Sequence, residues 1–417
     1  MNHKHTQGIR PRSNQASGNG ESGVTPVYLD HSATTPVRQE VVEAMTPFFT
    51  EAYGNASSVH ALGKNARKAL ENARQEVAKA IGAAPEEIYF TSGGTESDNT
   101  AVKGVMRAKR SKGGHFITSA IEHMAVLNSG KALEKEGFQV TYLPVDEYGI
   151  VELDALEEAI SDETALISVM LANNETGVIQ PLRQIAEIAK KHDIPVHTDA
   201  VQALGKIPVN VDDLGVDLLS VSGHKIYGPK GIGVLYVRKG TRFAPLLHGG
   251  HHERNKRPGT ENVPAIVGLG KAVELAMGEM EETSARLKDL RDRLEQGIRD
   301  NVEDVYLNGH HEKRLPNVLN MSFEFVEGES LLLTLDHKGV AVSTGSACTS
   351  GSLEPSHVLK AMGMDPALSH GSLRFSLGRD NTAEQMDYVV ECLGEVVGRL
   401  RQMSPLYAEH YAEQQKG

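Results

Sequence analysis

Lys225 sits in the stretch Val221-Ser222-Gly223-His224-Lys225-Ile226-Tyr227-Gly228-Pro229-Lys230-Gly231. Apolar runs, Val216–Ser220 and Val234–Val237, flank this glycine-rich connection and read as strands. A lysine beside a hydroxyl and an imidazole suits Schiff-base chemistry: the amine holds an aldehyde cofactor, while Ser222 and His224 donate to a phosphate. Alone, Ser-Gly-His-Lys also fits an ordinary polar turn. Other groups must decide.

Phe90-Thr91-Ser92-Gly93-Gly94-Thr95 reads as a strand, a glycine turn and a helix starting near Thr95. A helix start offers unpaired N–H groups to a phosphate, Gly94 admits close approach and Thr95 adds a hydroxyl. Simple N-capping by Ser92 or Thr95 explains the same residues. Asp199 closes the strand Val196-His197-Thr198, with Gln202 three residues on. A carboxylate there can hold a pyridinium N–H and Gln202 can reach the ring's phenolic oxygen, although a helix N-cap at Asp199 is the plainer reading. His123 can stack on a flat ring and move protons, or be structural. Asn174, in a turn-rich loop, can bind a ring oxygen or a substrate carboxylate.

Arg374 alternates with Leu373 and Phe375 in a strand, which suits a bidentate clamp on an α-carboxylate and equally a structural ion pair. Arg257-Pro258-Gly259-Thr260-Glu261-Asn262 offers a hydroxyl at Thr260. His248-Gly249-Gly250-His251-His252-Glu253 has metal-binding residue types without helical spacing, a weak metal signal. Cys348, in Ser343-Thr344-Gly345-Ser346-Ala347-Cys348-Thr349-Ser350-Gly351-Ser352, has only small or polar neighbours, as expected of a nucleophilic thiol that must travel. Cys392 lies on the apolar stripe of a C-terminal helix, a core position.

The elements that must position these groups alternate. Strands are expected near Ile88–Thr91, His115–Thr118, Val140–Leu143, Ala165–Leu171, Pro195–Thr198, Leu218–Val221 and Val234–Val237. Helical stretches lie between most of them, including Glu96–Arg110, Val126–Glu136 and Ile185–Lys191. That pattern predicts an α/β fold with a mainly parallel sheet, and ligands beyond the carboxyl ends of its strands. Val37–Phe49 reads as one helix, and Glu274–Arg299 as a solvated helix spanning a hinge. After it, Asn317–Phe325, Val340–Ser343 and Ser372–Ser376 read as strands of a smaller α+β domain. The expected division is a disordered tail at 1–25, a large domain at 44–280, and a small domain built from 26–43 plus 281–417.

The 417 residues carry a formal net charge of −12, which argues against nucleic acid as a partner. Two cysteines without a CxxC pair fit a reducing compartment. No apolar run approaches the roughly 20 residues of a membrane span, and no secretory leader is visible, so a cytoplasmic location is expected.

Together the Lys225 stretch, His248-Gly-Gly-His-His-Glu-Arg, Arg257-Pro-Gly-Thr-Glu-Asn and Gly345-Ser-Ala-Cys-Thr-Ser-Gly-Ser-Leu-Glu-Pro-Ser-His-Val resemble the cysteine desulfurases of the class V aminotransferase group, from about Tyr28 to Tyr407. The resemblance implies the type I pyridoxal-phosphate (PLP) transferase fold, like aspartate aminotransferase, and a homodimer converting L-cysteine to L-alanine. It implies that Lys225 bonds the cofactor, Asp199 pairs with its ring nitrogen, Gln202 with its phenolic oxygen, and His123 stacks on the ring. It gives Gly94, Thr95, Ser222, His224 and the partner subunit's Thr260 to the phosphate, and Asn174 and Arg374 to the substrate carboxylate. Cys348 takes the sulfur as a persulfide. The long Ser/Gly cysteine loop resembles the branch feeding iron–sulfur assembly, where Cys348 can also be a transient cluster ligand beside a scaffold protein. Thr344 stands where relatives mostly carry Ser. Selenocysteine lyase, another class V lyase or aminotransferase, and a non-catalytic sulfur-assembly subunit are the alternatives.

Overall fold

The computed structural model describes residues 26–111, 113–344, 355–405 and 407–408. In chain order the first half holds β1 (Val27–Tyr28), α1 (Gln39–Met45), α2 (Pro47–Thr50), α3 (Ala61–Ile81), β2 (Ile88–Thr91), α4 (Gly94–Lys109), β3 (His115–Ser119), α5 (Met124–Lys135), β4 (Gln139–Leu143) and α6 (Leu153–Ala159). There follow β5 (Thr164–Ser168), α7 (Leu182–Lys190), β6 (Val196–Asp199), α8 (Val211–Leu214), β7 (Leu218–Ser222), β8 (Gly233–Val237), α9 (His252–Asn255) and α10 (Val263–Asn301). The remainder is β9 (Val305–Leu307), β10 (Val318–Phe323), α11 (Gly328–His337), β11 (Val340–Ala341), α12 (His357–Ala361), α13 (Pro366–His370), β12 (Ser372–Ser376) and α14 (Ala383–Gln402).

Seven strands form one sheet in the order β2-β8-β7-β6-β5-β3-β4. Neighbours from β7 to β4 run parallel, whereas β8 is antiparallel to both β7 and β2. Every residue of β3, β5, β6, β7 and β8 is buried, as expected of strands covered by helices on both faces. The fold is therefore α/β with a mainly parallel sheet, and its parallel strands end together at one edge. A second, antiparallel sheet, β12-β10-β9, and the parallel pair β1–β11 lie outside it.

Among the described residues two of three apolar cores follow this division, the third packing α4 and α5 on the large sheet through Val105, Phe116, Val126 and Leu235. One gathers Val77, Ile117, Ile167, Leu219 and Val234 around the large sheet, and the other gathers Leu319, Phe323, Phe375, Val389 and Cys392 around β10, β12 and α14. The 39-residue α10 serves both: Ile266, Leu269 and Val273 pack in the first, and Leu287, Leu290, Leu294 and Ile298 in the second. The expected solvated helix is thus a two-core helix, its charges on the outer face except for Arg291, which is buried and donates to the Leu315 carbonyl at 2.7 Å. The expected single helix over Val37–Phe49 breaks at Thr46, because Pro47 supplies no N–H and starts α2 instead. No helix follows Asp199; residues 200–207 form a chain of turns.

Candidate active site

The parallel strands deliver their last residues to one cleft. At the end of β6 the Asp199 carboxylate accepts from Val201 N–H at 2.8 Å. It is buried, and burial holds it above the usual carboxylate range, with His123 and Lys225 pulling the other way. Gln202 donates from Nε2 to the Ser32 carbonyl at 3.0 Å. Lys225, in the single turn after β7, donates from Nζ to the Ser32 carbonyl and, at 2.8 Å, to that of Ala33. The His224 ring lies 3.1 Å from Thr34 Oγ1, and burial, then Lys225, pushes it down to about 4. Residues 31–36, which the sequence suggests only as a turn, thus close over the lysine.

α4 begins without a side-chain cap: its N-cap, Gly93, has φ 153° and ψ 179°, a region essentially reserved for glycine. Neither Ser92 nor Thr95 caps it, so the capping explanation fails and the first N–H groups stay available to an anion. A hollow of about 390 Å³ there is lined by Gly94, Thr95, Ser222, His224 and Lys230. A Cβ on Gly94 would come within 2.9 Å of Val201 Cγ2, so only glycine lets this backbone approach the cleft unobstructed.

Four residues further along α4, Asp98 is buried, and burial, then Asp199, raises its carboxyl well above the usual range. Ligating atoms of Asp98, His123 and Asp199 lie within 4.8 Å of one another. His123 caps α5, its Nδ1 accepting from Ala125 N–H at 3.1 Å. Across the cleft, Arg374 donates from Nη1 to the Asn174 carbonyl at 2.9 Å and pairs through Nη2 with Asp30 at 2.8 Å.

The cleft measures about 320 Å³. Among the described residues, five buried polar atoms on its lining side chains have no hydrogen-bond partner: Ser32 Oγ, Asp98 Oδ1, Asn174 Oδ1, Gln202 Oε1 and Arg374 Nε. Buried polar groups are normally satisfied, because leaving one unpaired costs about 1–3 kcal/mol. Their concentration beside a lysine, a buried carboxylate and an uncapped helix start fits a phosphorylated, amine-reactive heteroaromatic ring.

The aminotransferase class-V family model matches residues 27–389. The cysteine desulfurase IscS of Methanosarcina thermophila is 58% identical over 385 residues, covering 92% of this chain and 95% of that protein. Its namesake from Dictyoglomus turgidum is 56% identical over 383 residues, covering 92% and 97%. The chain belongs to the cysteine desulfurases of the class-V aminotransferase family. Among solved structures, a NifS-like protein superposes with TM-score 0.85 at 42% identity, covering 90% of this chain and all of the other. A structure titled SspA in complex with cysteine gives 0.77 at 40%, covering 85% and 100%. Cysteine desulfurases of this fold are PLP-dependent enzymes, and the groups of the cleft suit that cofactor.

Ten residues singled out from the sequence line this cleft: Gly94, Thr95, His123, Asn174, Asp199, Gln202, Ser222, His224, Lys225 and Arg374. Thr260 does not; it is exposed on the loop before α10, which Arg257 ties to Glu96 at 2.9 Å. Cys348, and with it any cluster-ligating role, lies outside the described residues. Sequence reasoning missed Ser32 and Asp98; Asp98 was discoverable from its i+4 spacing to Gly94, which places both on one helix face. It also missed Glu175, whose carboxylate accepts from Ser356 Oγ at the cap of α12, and which burial raises to about 7. The His248–Glu253 run holds no metal cluster among the described residues: Glu253 is committed to a buried ion pair with Arg74.

Proposed function

We propose that this enzyme converts L-cysteine to L-alanine and carries the sulfur away as a persulfide on Cys348. The observation that carries the reading is the set of unpartnered polar groups converging with Lys225 and Asp199 on one cleft. PLP, when bound, supplies an aldehyde for the substrate amine and a ring that takes up electrons. Lys225 is the residue that bonds that aldehyde and, once displaced, moves protons at the substrate carbon. The buried Asp199 carboxylate would hold a proton on the ring nitrogen, Gln202 would serve the phenolic oxygen, and His123 would lie against the ring. The α4 start with Gly94 and Thr95, together with Ser222 and His224, receives the phosphate.

Arg374 Nε and the Asn174 amide take the substrate carboxylate, Arg374 giving up part of its present pairing with Asp30 or Asn174 O. The Cys348 thiolate then attacks the substrate sulfur. A sulfur–sulfur bond forms and the carbon–sulfur bond breaks. The pair left on carbon is closed by a proton, and alanine leaves. The persulfide is passed to an acceptor protein, for which iron–sulfur scaffolds are the class the relatives' family suggests.

A homodimer supplies the partner subunit's Thr260 to the phosphate. Phe49, Tyr53 and Val59, 61%, 64% and 86% exposed, give an apolar surface for such a contact. A cytoplasmic site of action accords with the two-cysteine composition, and no described helix is long and apolar enough to cross a membrane.

The test is alanine and sulfide release from L-cysteine with a reductant, for wild type and Cys348→Ala. Equal products from wild type and neither from the variant, with the cofactor band retained, are expected. Undiminished alanine from Cys348→Ala would overturn the persulfide route and favour a lyase that releases sulfur directly.

A further inference from the structure

Behind Lys225 lies a second amine. Lys206 and Lys225 line the same cavity of about 50 Å³, which Asp199 and Asn174 do not line. The two lysines are joined through one strut. Lys206 Nζ donates to the Gln202 backbone carbonyl at 3.0 Å, the Gln202 side chain donates to the Ser32 carbonyl at 3.0 Å, and Lys225 Nζ donates to that same carbonyl. Among the described residues, the Lys206 amine makes one hydrogen bond and no ion pair. The titratable groups that share this cavity's lining with it are His31, Arg38, Lys225, Tyr227, Glu279 and Arg379. Glu279, the one carboxylate of the set, is bonded to Arg38 at 2.7 Å. A lysine placed inward without a carboxylate is unusual, since buried charges are ordinarily paired.

Resting on the reading of Lys225 as the cofactor-bonding residue, we propose that Lys206 is a positioning residue for it. Its charge, held on the Gln202–Ser32 strut, keeps the Lys225 nitrogen short of a proton and so fit to act as nucleophile and base. The physics is like-charge repulsion in a confined, weakly screened space, where two neighbouring amines do not both stay protonated. Burial first and the Lys225 charge second push the Lys206 ammonium down to about 7, so its charge acts on the Lys225 nitrogen below that pH and fades above it. The coupling is reciprocal, because whatever free energy one charge imposes on the other is returned in full. The same charge reaches His31 and His224, each held below the ordinary histidine range chiefly by burial, with Lys206 among the further causes.

The decisive readout is the pH midpoint of the visible band of the holoenzyme, which reports protonation of the nitrogen joining Lys225 to the cofactor. Lys206→Gln, which keeps a donor for the Gln202 carbonyl, is expected to raise that midpoint by about one pH unit. Lys206→Arg, which keeps the charge, is expected at or below the wild-type value. An unchanged midpoint in Lys206→Gln overturns the proposal. If that variant does not fold, a midpoint in Lys206→Arg above wild type overturns it instead. Borohydride reduction and peptide mapping of wild type separate this from the underlying reading: a label on any residue but Lys225 sinks that reading, whereas a label on Lys225 with an unmoved midpoint sinks only this inference.

Discussion

Two buried charged regions of this molecule are built in opposite ways. In the knot between α3 and α9, Arg74 donates to Glu253 at 2.7 and 2.9 Å, to the Ile88 carbonyl at 2.7 Å and to Glu71 at 3.1 Å. Glu253 also accepts from Phe90 N–H at 2.9 Å, and the guanidinium lies 4.8 Å from the Phe90 ring centre. The cleft has the same residue types, yet Asp98, Asn174, Gln202 and Arg374 each keep an unpartnered atom. The knot fastens β2 to a loop whose Glu253 takes φ 42°, and it is complete by itself. The cleft is complete only with something in it. Unpartnered atoms also occur elsewhere, at Tyr236 and Arg314 for instance, but in the cleft five of them share one lining with Lys225 and Asp199, and that convergence marks function.

This contrast is open to breakage. The largest effect is expected at the knot: Glu253→Ala strands a buried guanidinium and should cost about 3–5 kcal/mol in urea unfolding, with the folded fraction keeping its cofactor band. Were that band lost from folded protein, the knot would be part of the site. Asp199→Asn should lower kcat roughly 10²–10³-fold, about 2.7–4 kcal/mol, because an amide cannot stabilise a protonated ring nitrogen as a carboxylate does. Arg374→Lys should lower kcat/KM for L-cysteine about tenfold, mainly through KM, since an ammonium cannot reproduce the planar fork.

A test without loss of a packed side chain is pH, its effect small per unit. Burial raises Glu122 from 4.5 to about 8, with the Ser119 hydroxyl and Met170 N–H opposing. A group protonated when folded contributes its stability in full below the unfolded value and loses it as pH rises through the folded one. Relative to Glu122→Gln, wild type should therefore lose stability between about pH 4.5 and 8, by at most about 1.4 kcal/mol per unit. Parallel pH curves for the two proteins would show that the carboxyl is not held neutral.

Much of the site was legible because its chemistry sits at element boundaries that local sequence marks. The run ending in Asp199, the Gly93-Gly94 turn and the glycines around Lys225 each state a strand end and a loop. Pairings distant in sequence carry no such mark. Glu253 and Arg74 are 179 positions apart, and Lys225 and the Ser32 carbonyl 193. Hence a run of histidines and a glutamate gave only a weak metal signal and no hint of the Arg74 ion pair, and residues 31–36 only a turn. The direction of β8 was hidden as well, since Val234–Val237 reads alike in either sense. Composition misled at α10, where a charged outer face masked Leu287, Leu290, Leu294 and Ile298.

The central claim is that the cleft's unpartnered groups exist for the cofactor and substrate rather than for the fold. Urea unfolding of wild type and Asp199→Asn, each with and without PLP, tests it most directly. The account predicts that the cofactor stabilises wild type by about 2.7 kcal/mol at a hundredfold excess over its Kd. It predicts that cofactor-free Asp199→Asn is at least as stable as cofactor-free wild type, and that PLP adds far less to it. A variant that unfolds earlier without PLP, yet gains as much from it as wild type does, would contradict the account.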